Sequence, residues 1–158
     1  MKRLIVLLLA SMGLSASCFA QAWSLATSTN PSNGRQIVFR YTSDFGPNFQ
    51  RSSLPVRIIL AWKYQSENGM PVVTERQRMD SMEDLLGPHV EKDGLAKLAV
   101  VSTGENLREW TYYAKSEAEF MAGLNNALAG KPTFPIDVHP AIDPTWAMYE
   151  KFRSWVKK

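Results

Sequence analysis

The stretch that decides the fold is Leu95–Ala114, with the sequence LAKLAVVSTGENLREWTYYA. Apolar residues alternate on both sides of a Gly-Glu-Asn turn at 104–106, a pattern that predicts two antiparallel strands joined as a β-hairpin. If Thr103 lies opposite Leu107, the alternation of strand side chains predicts one apolar face and one half-polar face. The apolar face carries Ala96, Leu98, Val100, Trp110, Tyr112 and Ala114. The half-polar face carries Lys97, Ala99, Val101, Glu109, Thr111 and Tyr113.

Further strands are predicted on both sides of this hairpin. Apolar residues alternate in 23–29 and 35–41, which predicts an N-terminal β-hairpin, and a polar loop follows it. The clearest strand is 56–64, where every second residue is a large apolar one. Downstream, 134–138 alternates between flanking prolines, which predicts a short strand at the edge of a sheet.

Three helices are predicted from their start and stop signals. Thr74–Gln77 has the pattern of a capping box, and apolar residues at helical spacing follow it as far as a break or kink at Gly87-Pro88. Ser116–Glu119 is a second capping box, and Gly130 ends that helix. Asp143-Pro144 predicts the start of a terminal helix. The inward face of the terminal helix carries Trp146, Tyr149, Phe152, Trp155 and Val156.

From residue 56 onward the predicted order is strand, helix, strand, strand, helix, strand, followed by the terminal helix. Two interleaved strand–helix–strand crossovers predict an α+β fold, a ferredoxin-like βαββαβ sandwich with an N-terminal β-hairpin and a C-terminal helix. We expect the strands at 56–64 and 107–114 to be central, parallel neighbours in the sheet. The core face of that sheet is predicted to carry Ile58, Leu60, Trp62, Leu98, Val100, Trp110, Tyr112, Ile136 and Val138.

The first twenty residues have the order of a secretory signal peptide. Lys2 and Arg3 precede an apolar run over 4–10, which is too short to span a bilayer comfortably, and small residues follow. Cleavage after Ala20 or after Ala22 satisfies the requirement for small residues at the cleavage site, and we favour Ala20. The mature protein is therefore expected in the periplasm or secreted.

Composition limits the partners of the mature chain, which we expect to be a single domain over 23–158. Loss of Lys2 and Arg3 takes two of the 18 basic residues and none of the 15 acidic ones, which leaves a net charge of +1. Such a surface lacks the basic stripe of a nucleic-acid binder, and no transmembrane segment is expected after the signal is removed. The only cysteine, Cys18, leaves with the signal. Lipidation of Cys18 is the alternative, but Ser15 stands where that motif has a large aliphatic residue.

A set of spaced motifs along the chain resembles the bacterial domain-of-unknown-function family 695, over about 62–152. The motifs are Trp62-x-Tyr64, Asn68-Gly69-x-Pro71, Thr103-Gly104, Arg108-Glu109-Trp110 with Tyr113, and Asp143-Pro144-x-Trp146-x-x-Tyr149. This family is similar in outline to the ferredoxin-like type B regulators of ribonuclease E activity, which bind and inhibit a partner. The resemblance therefore implies a ferredoxin-like fold and a binding role, and it carries over no catalytic residue. Export argues against a cytoplasmic ribonuclease as the partner here.

The candidate binding surface is the sheet face opposite the two predicted crossover helices. It carries Arg57, Lys63, Lys97, Glu109, Thr111, Tyr113, Asp137 and His139. This mixed set of charges with one exposed aromatic suits a protein partner in the cell envelope, an extended peptide or a polar ligand. Two other interpretations stay open: a surface covered by the N-terminal hairpin, and a solvated surface with weak ion pairs.

Most of the known enzyme signatures are absent from the sequence, so we expect a binding or interaction domain without cofactor or metal. There is no Gly-x-Ser-x-Gly elbow, no His-Glu-x-x-His, no phosphate loop and no dinucleotide fingerprint. One alternative is a protein that binds a small ligand or a metal at Asp137 and His139, with Glu109 as a third ligand. A weaker alternative is a hydrolase in which Glu109 and Asp137 act as acid and base.

Overall fold

A computed structural model describes residues 21–156 of the 158-residue chain, and the predicted signal peptide up to Ala20, Cys18 included, lies outside the described residues. The strands are β1 (Ala22–Thr29), β2 (Gln36–Asp44), β3 (Val56–Lys63), β4 (Ala96–Gly104), β5 (Leu107–Ala114) and β6 (Ile136–Ile142). The helices are α1 (Val73–Val90), α2 (Glu117–Leu128) and α3 (Ala147–Val156). No helix within 21–156 has the length and apolarity needed to cross a membrane.

The six strands form one antiparallel sheet in the order β1-β2-β4-β5-β3-β6, and the predicted α+β class is confirmed. The order β6-β3-β5-β4 is compatible with a ferredoxin-like arrangement. The strands β3 and β5 are neighbours as predicted, but they run antiparallel, not parallel. A hairpin makes β5 antiparallel to β4, and the crossover through α1 makes β4 parallel to β3, so the strand between them opposes both. The N-terminal hairpin extends the sheet beyond β4 and does not cover either face.

The turn of the central hairpin is shorter than predicted. Glu105 and Asn106 both have positive φ, 53° and 62°, as required in the two-residue turns that match the twist of the strands. Gly104 therefore pairs with Leu107, one residue away from the predicted register. A β-bulge at Ala99 absorbs the extra residue, which is how a strand changes register without losing its pairing.

The bulge exchanges the faces of two valines. On the side of the bulge away from the turn, the register is as predicted, with Leu98 opposite Tyr112. On the turn side, Val101 lies opposite Trp110 and joins the core under the helices. Val100, which was predicted to lie there, faces the opposite side of the sheet. The assignment of Val100 to the helix-side core was therefore wrong.

Two hydrophobic cores lie on the two faces of the sheet. The helices α1 and α2 cover one face, and the other predicted core residues lie there: Ile58, Leu60, Trp62, Leu98, Trp110 and Tyr112 are buried, with Ile136 and Val138 packed against them. The helix α3 covers part of the other face. Its core contains Tyr41, Leu54, Ala99, Val100, Tyr113, Trp146 and Tyr149. Of the predicted stripe on α3, Trp155 is the exception, because 42% of it is exposed.

The helix start signals were right for α2 and wrong for α1. The hydroxyl of Ser116 accepts a bond from the Glu119 N–H at 3.2 Å, and Gly130 has a φ of 69°, as the cap and stop signals predicted. In contrast, α1 begins at Val73 with no side-chain cap, so the predicted box at Thr74–Gln77 does not cap it. The helix α1 also continues through Gly87-Pro88 to its end, because buried residues on both sides of the proline hold it on the core.

Candidate functional site

A groove of about 270 Å³ opens on the helix side of the sheet, between α1 and the strands that continue beyond it. Its floor comes from β2, β4 and β5, and its wall comes from α1 and the loop that precedes it. The lining residues are Val38, Arg40, Met70, Pro71, Arg76, Asp80, Val101, Thr103 and Arg108. The groove therefore combines apolar surface with three guanidinium groups.

The register of the sheet explains why these residues meet. Val38 on β2 pairs with Thr103 on β4, which pairs with Arg108 on β5. Residues that pair across antiparallel strands lie on the same face, so this row crosses the groove floor. The next row, from Arg40 through Val101, runs parallel to it. The Val101 side chain reaches the floor only because of the bulge.

Arg108 is the buried cation of the groove, with 8% of the residue exposed. Its Nη1 donates to Asp80 Oδ1 at 2.8 Å, and its Nη2 donates to Glu83 Oε2 at 3.4 Å. The guanidinium also lies over the ring of Trp110, 5.0 Å from the centroid. A buried charge requires such compensation, because desolvation of an unpaired cation costs several kcal/mol.

Glu83 joins α1 to the sheet beneath the groove. It forms an ion pair with Arg40, and its Oε2 accepts a bond from Trp110 Nε1 at 2.8 Å. Two turns nearer the start of α1, Trp62 Nε1 donates to Glu75 Oε1 at 2.7 Å. The acidic face of α1 is therefore fixed to the sheet by two indole donors and two arginines.

The mouth of the groove presents an unpaired charge and exposed apolar residues. Arg76 is exposed and makes no ion pair with any residue in 21–156. Val72 and Val73, at the start of α1, are 59% and 58% exposed. Val72 also lines a depression next to the groove together with Met70 and Pro71. The rim therefore offers a free guanidinium beside an apolar patch.

The loop that forms the groove wall is held in place by hydrogen bonds. The hydroxyl of Tyr64 donates to the Gly69 carbonyl at 2.9 Å, and the Asn106 N–H donates to the same carbonyl at 3.0 Å. Burial raises the pKa of Tyr64 to about 12, although the charge of Arg108 acts in the opposite direction. Tyr64 therefore stays protonated and keeps donating throughout the neutral range.

The predicted surface residues do lie on one face of the sheet, but α3 divides them into two groups. Tyr113 is buried beneath α3, with its ring stacked on Trp146 at a centroid distance of 3.8 Å. Lys97 and Arg57 flank Tyr113 in the same row and are half-buried. These three residues lie in or beside the second core, so Tyr113 is not an exposed aromatic.

The remaining predicted residues lie on the uncovered part of that face. Thr111 is buried at the border of this uncovered part. Lys63 and Asp137 are exposed, and Lys63 Nζ lies 3.6 Å from Asp137 Oδ2. Glu109 and Asp137 both pair with Ala61, from opposite sides. Their backbones are therefore two strand spacings apart, roughly 10 Å, with Asp137 exposed and Glu109 half-buried.

The two alternative sites gain no support from this arrangement. His139 pairs with Ile59, one row away from Asp137, and both side chains are exposed at the sheet edge. Within residues 21–156, no group of three His, Cys, Asp or Glu side chains is placed to hold a metal ion. The acid and base roles suggested for Glu109 and Asp137 stay a prediction.

Asp143 anchors the start of α3 beneath the second core. Its Oδ1 accepts a bond from the Ala147 N–H at 2.7 Å, and its Oδ2 accepts bonds from the Met148 N–H and the Tyr113 hydroxyl. Burial acts to raise the pKa of Asp143, but these hydrogen bonds outweigh it and hold the pKa below its usual value. The helix starts at Ala147, later than predicted, and Asp143 still satisfies its first N–H groups.

The sequence contained one signal for the groove. Arg108 lies two residues before Trp110 on the same strand face, so a charged residue occupies a position that points to the core. The same position also fits a charge near the turn that pairs across strands, so the signal does not by itself point to a groove. Arg40 and Arg76 had no such signal, because only the placement of the N-terminal hairpin brings β2 beside α1.

A family model described as a family of unknown function, DUF695, matches residues 21–153. No curated protein and no solved structure matches the chain. Several motif residues of the resemblance described above lie at the groove: Pro71, Thr103 and Arg108 line it, Gly69 holds its wall, and Trp110 lies beneath it. The likeness to the type B regulators of ribonuclease E activity stays a prediction.

Proposed function

Because this chain belongs to the family of unknown function DUF695, whose description names no activity, we propose a function from the groove itself. The protein is an exported binding domain, and its ligand carries a carboxylate beside an apolar group. The observation that carries this proposal is the unpaired Arg76 at the mouth of a groove whose floor combines Val38 and Val101 with two paired arginines. Ligand sites typically combine apolar walls with a few polar groups that fix orientation.

The groove favours binding of an anion over binding of a cation. Arg40 and Arg108 are already paired with carboxylates of α1, whereas the guanidinium of Arg76 has its donors available. A guanidinium recognises a carboxylate through two parallel N–H···O bonds. The apolar part of the ligand would then lie on Val38 and Val101, with Met70 as an adaptable wall.

Export is inferred from the N-terminal sequence, and the contacts of Gln21 bear on where the signal would be cleaved. Gln21 Nε2 donates to the Leu98 carbonyl at 2.9 Å and to the Thr42 hydroxyl. Cleavage after Ala20 retains this anchor at the start of β1, whereas cleavage after Ala22 removes it. We therefore propose Gln21 as the first residue of the mature protein.

The carboxylate has two natural sources, a small organic acid or an acidic residue on a protein partner in the cell envelope. Both present the same group to Arg76, and they differ in size. A small acid would leave Val72 and Val73 exposed, whereas a protein partner would cover them. Native mass spectrometry of the protein isolated from its envelope fraction distinguishes the two, because a retained acid adds a small mass and a protein partner adds a large one.

The direct test is titration of the 15N-labelled mature protein with octanoate, which has a carboxylate on an apolar tail. We expect saturable shifts of amide signals at Val38, Val101 and Thr103, and much weaker ones with octanamide, which lacks the charge. Arg76→Gln should weaken octanoate binding about fivefold, the effect of an exposed ion pair worth ~1 kcal/mol.

The matched control is Arg78→Gln, two residues further along α1. Arg78 Nη1 lies 3.4 Å from Glu75 Oε2, and its guanidinium lies over the ring of Trp62. Arg78 does not line the groove. This variant should bind octanoate like the wild type. Shifts that do not saturate, that are equal for octanamide, or that survive unchanged in Arg76→Gln would refute the carboxylate site.

A further inference from the structure

We propose that the edge strand β1 pairs with β1 of a second copy of this chain, so that two six-stranded sheets join into one. The strand is the end of the sheet, and among residues 21–156 it has a partner strand only on the β2 side. The backbone groups on its outer side are therefore available for pairing. This proposal is independent of the ligand proposed for the groove.

Apart from a register shift between Ala22 and Trp23, β1 lacks the features that protect sheet edges. Its eight residues, AWSLATST, include no charged residue, no proline and no glycine. Natural edge strands usually carry a lysine, a proline or a bulge that prevents pairing with another chain. Here Leu25 is 73% exposed and Trp23 is 38% exposed, and the register with β2 is regular from Trp23 to Thr29.

The opposite edge of the sheet has the protection that β1 lacks. Pro140 lies within β6 and has no N–H to donate to a further strand. Asp137 and His139 add exposed polar side chains to the same edge. With one edge blocked, the sheet has a single pairing edge, and association closes at a dimer because each copy uses the same strand.

The symmetry of such a dimer fixes the register. In an antiparallel pair, directly opposed residues share a face, so a two-fold axis must place one residue opposite its own copy. Centring on Leu25 puts Leu25 opposite Leu25 and Trp23 opposite Thr27. This register brings the two copies of the most exposed apolar side chain of β1 into contact, and the absence of charge on the strand avoids repulsion between identical copies.

The dimer also has a defined relation to the grooves. Leu25 pairs with Arg40 on β2, and Arg40 lines the groove. The guanidinium of Arg40 lies over the ring of Trp23, 4.7 Å from its centroid. The joined sheet therefore carries both grooves on the same face, one on each side of the two-fold axis.

Sedimentation velocity of the mature chain, over a range of concentrations, tests the pairing. We expect the weight-average mass to rise from that of a monomer towards twice that value. The variant Leu25→Lys should stay monomeric, because it places two lysines opposite each other. The matched control is Ile142→Lys, which changes an aliphatic residue of 78% exposure on the blocked edge and should still dimerise.

A charge-swap experiment separates self-pairing from loss of folding. Leu25→Lys and Leu25→Glu should each be monomeric alone and should form a mixed dimer when combined, since opposite charges then face each other across the axis. Circular dichroism of each variant verifies the fold. A wild type that stays monomeric up to ~1 mM, or a dimer that Ile142→Lys disrupts and Leu25→Lys does not, would overturn the proposal.

Discussion

Asp143 links the protonation of one carboxyl group to the stability of the second core. Its pKa is held below the usual value of 3.8, so its contribution to stability is present above that pH and is lost as the pH falls towards the lowered pKa. Asp143→Asn should cost about 1–3 kcal/mol near pH 7, because a buried charged acceptor is removed. Urea unfolding at several pH values should show this difference shrinking below pH 4.

The partner variant Tyr113→Phe provides the internal check on that mechanism. It removes the hydroxyl that donates to Asp143 at 2.8 Å and keeps the ring stacked on Trp146. With one donor fewer, the pKa of Asp143 should rise and the acid transition should begin at a higher pH than in the wild type. A destabilisation by Asp143→Asn that is the same at pH 3 and pH 7 would contradict this account.

Individual side chains show where reasoning from the sequence reached its limit. Trp110 was assigned to the core from its place in an alternating strand, and it is fully buried. Its hydrogen bond to Glu83 could not be predicted, because that contact depends on how α1 crosses the sheet. Arg108 shows the same limit more strongly, since a single charge on an apolar face does not reveal which carboxylates lie above it.

The end of β4 at Gly104 leaves no room for a side chain. Its φ is 154°, and a Cβ there would lie 2.5 Å from the Gln36 carbonyl oxygen and 2.8 Å from the Ile37 Cα. Both neighbours belong to the backbone of β2, so relief requires the strands to separate. Gly104→Ala should therefore destabilise the fold by about 1–3 kcal/mol, the usual cost of overpacking, measured by thermal unfolding.

The matched control for this prediction is Gly34→Ala in the β1–β2 turn. Gly34 also has a positive φ, 71°, but a Cβ there would meet nothing within 4 Å. Its cost should be limited to the backbone conformation, about 1 kcal/mol. Amide exchange should be faster along the β2–β4 pairing in Gly104→Ala only. Equal losses in the two variants would place the strain in the backbone and not in the strand contact.

Features of the helices and strands were predictable where they depend on neighbouring residues. They were not predictable where contacts between distant segments determine them. The cap at Ser116 and the stop at Gly130 depend on neighbouring residues, and both are confirmed. The bulge at Ala99 has no such signal, so the predicted register near the turn was one residue off.

 The residue left unpaired there, Ala99, is one of several small or apolar residues in β4 that could have taken that place. Pro88 gave a strong local signal that was overruled, because buried Leu86 and Val90 hold α1 on the core across it.

The whole molecule is a sheet with a helical layer on each face, and this explains why the predicted binding surface and the candidate groove differ. The fold class, the neighbouring central strands and most of the core followed from alternation and spacing. The terminal helix was predicted as an element, but nothing local indicates that it packs on the opposite face, over Tyr113 and Val100. Likewise, the groove exists only because the N-terminal hairpin widens the sheet past α1.

The proposed start of the mature chain bears on the whole molecule, because cleavage after Ala20 would leave Gln21 in contact with the outer strands. If cleavage follows Ala20, Gln21 keeps its side-chain bonds to Leu98 and Thr42, which hold the start of β1 to the sheet. Intact-mass measurement of the exported protein should therefore give a chain that begins at Gln21. A chain that begins at Trp23 should be less stable by about 1–2 kcal/mol, the worth of two such hydrogen bonds.

Comparison of the two purified forms by urea unfolding separates this effect from the specificity of the processing enzyme. The variant Gln21→Ala in the longer chain is the matched control, because it removes the side-chain donor and keeps the backbone of β1. Gln21→Ala should be destabilised by most of the difference in unfolding free energy between the two forms. If the two chains unfold at the same urea concentration, or the exported protein begins at Trp23, the anchor at Gln21 does not determine the mature start.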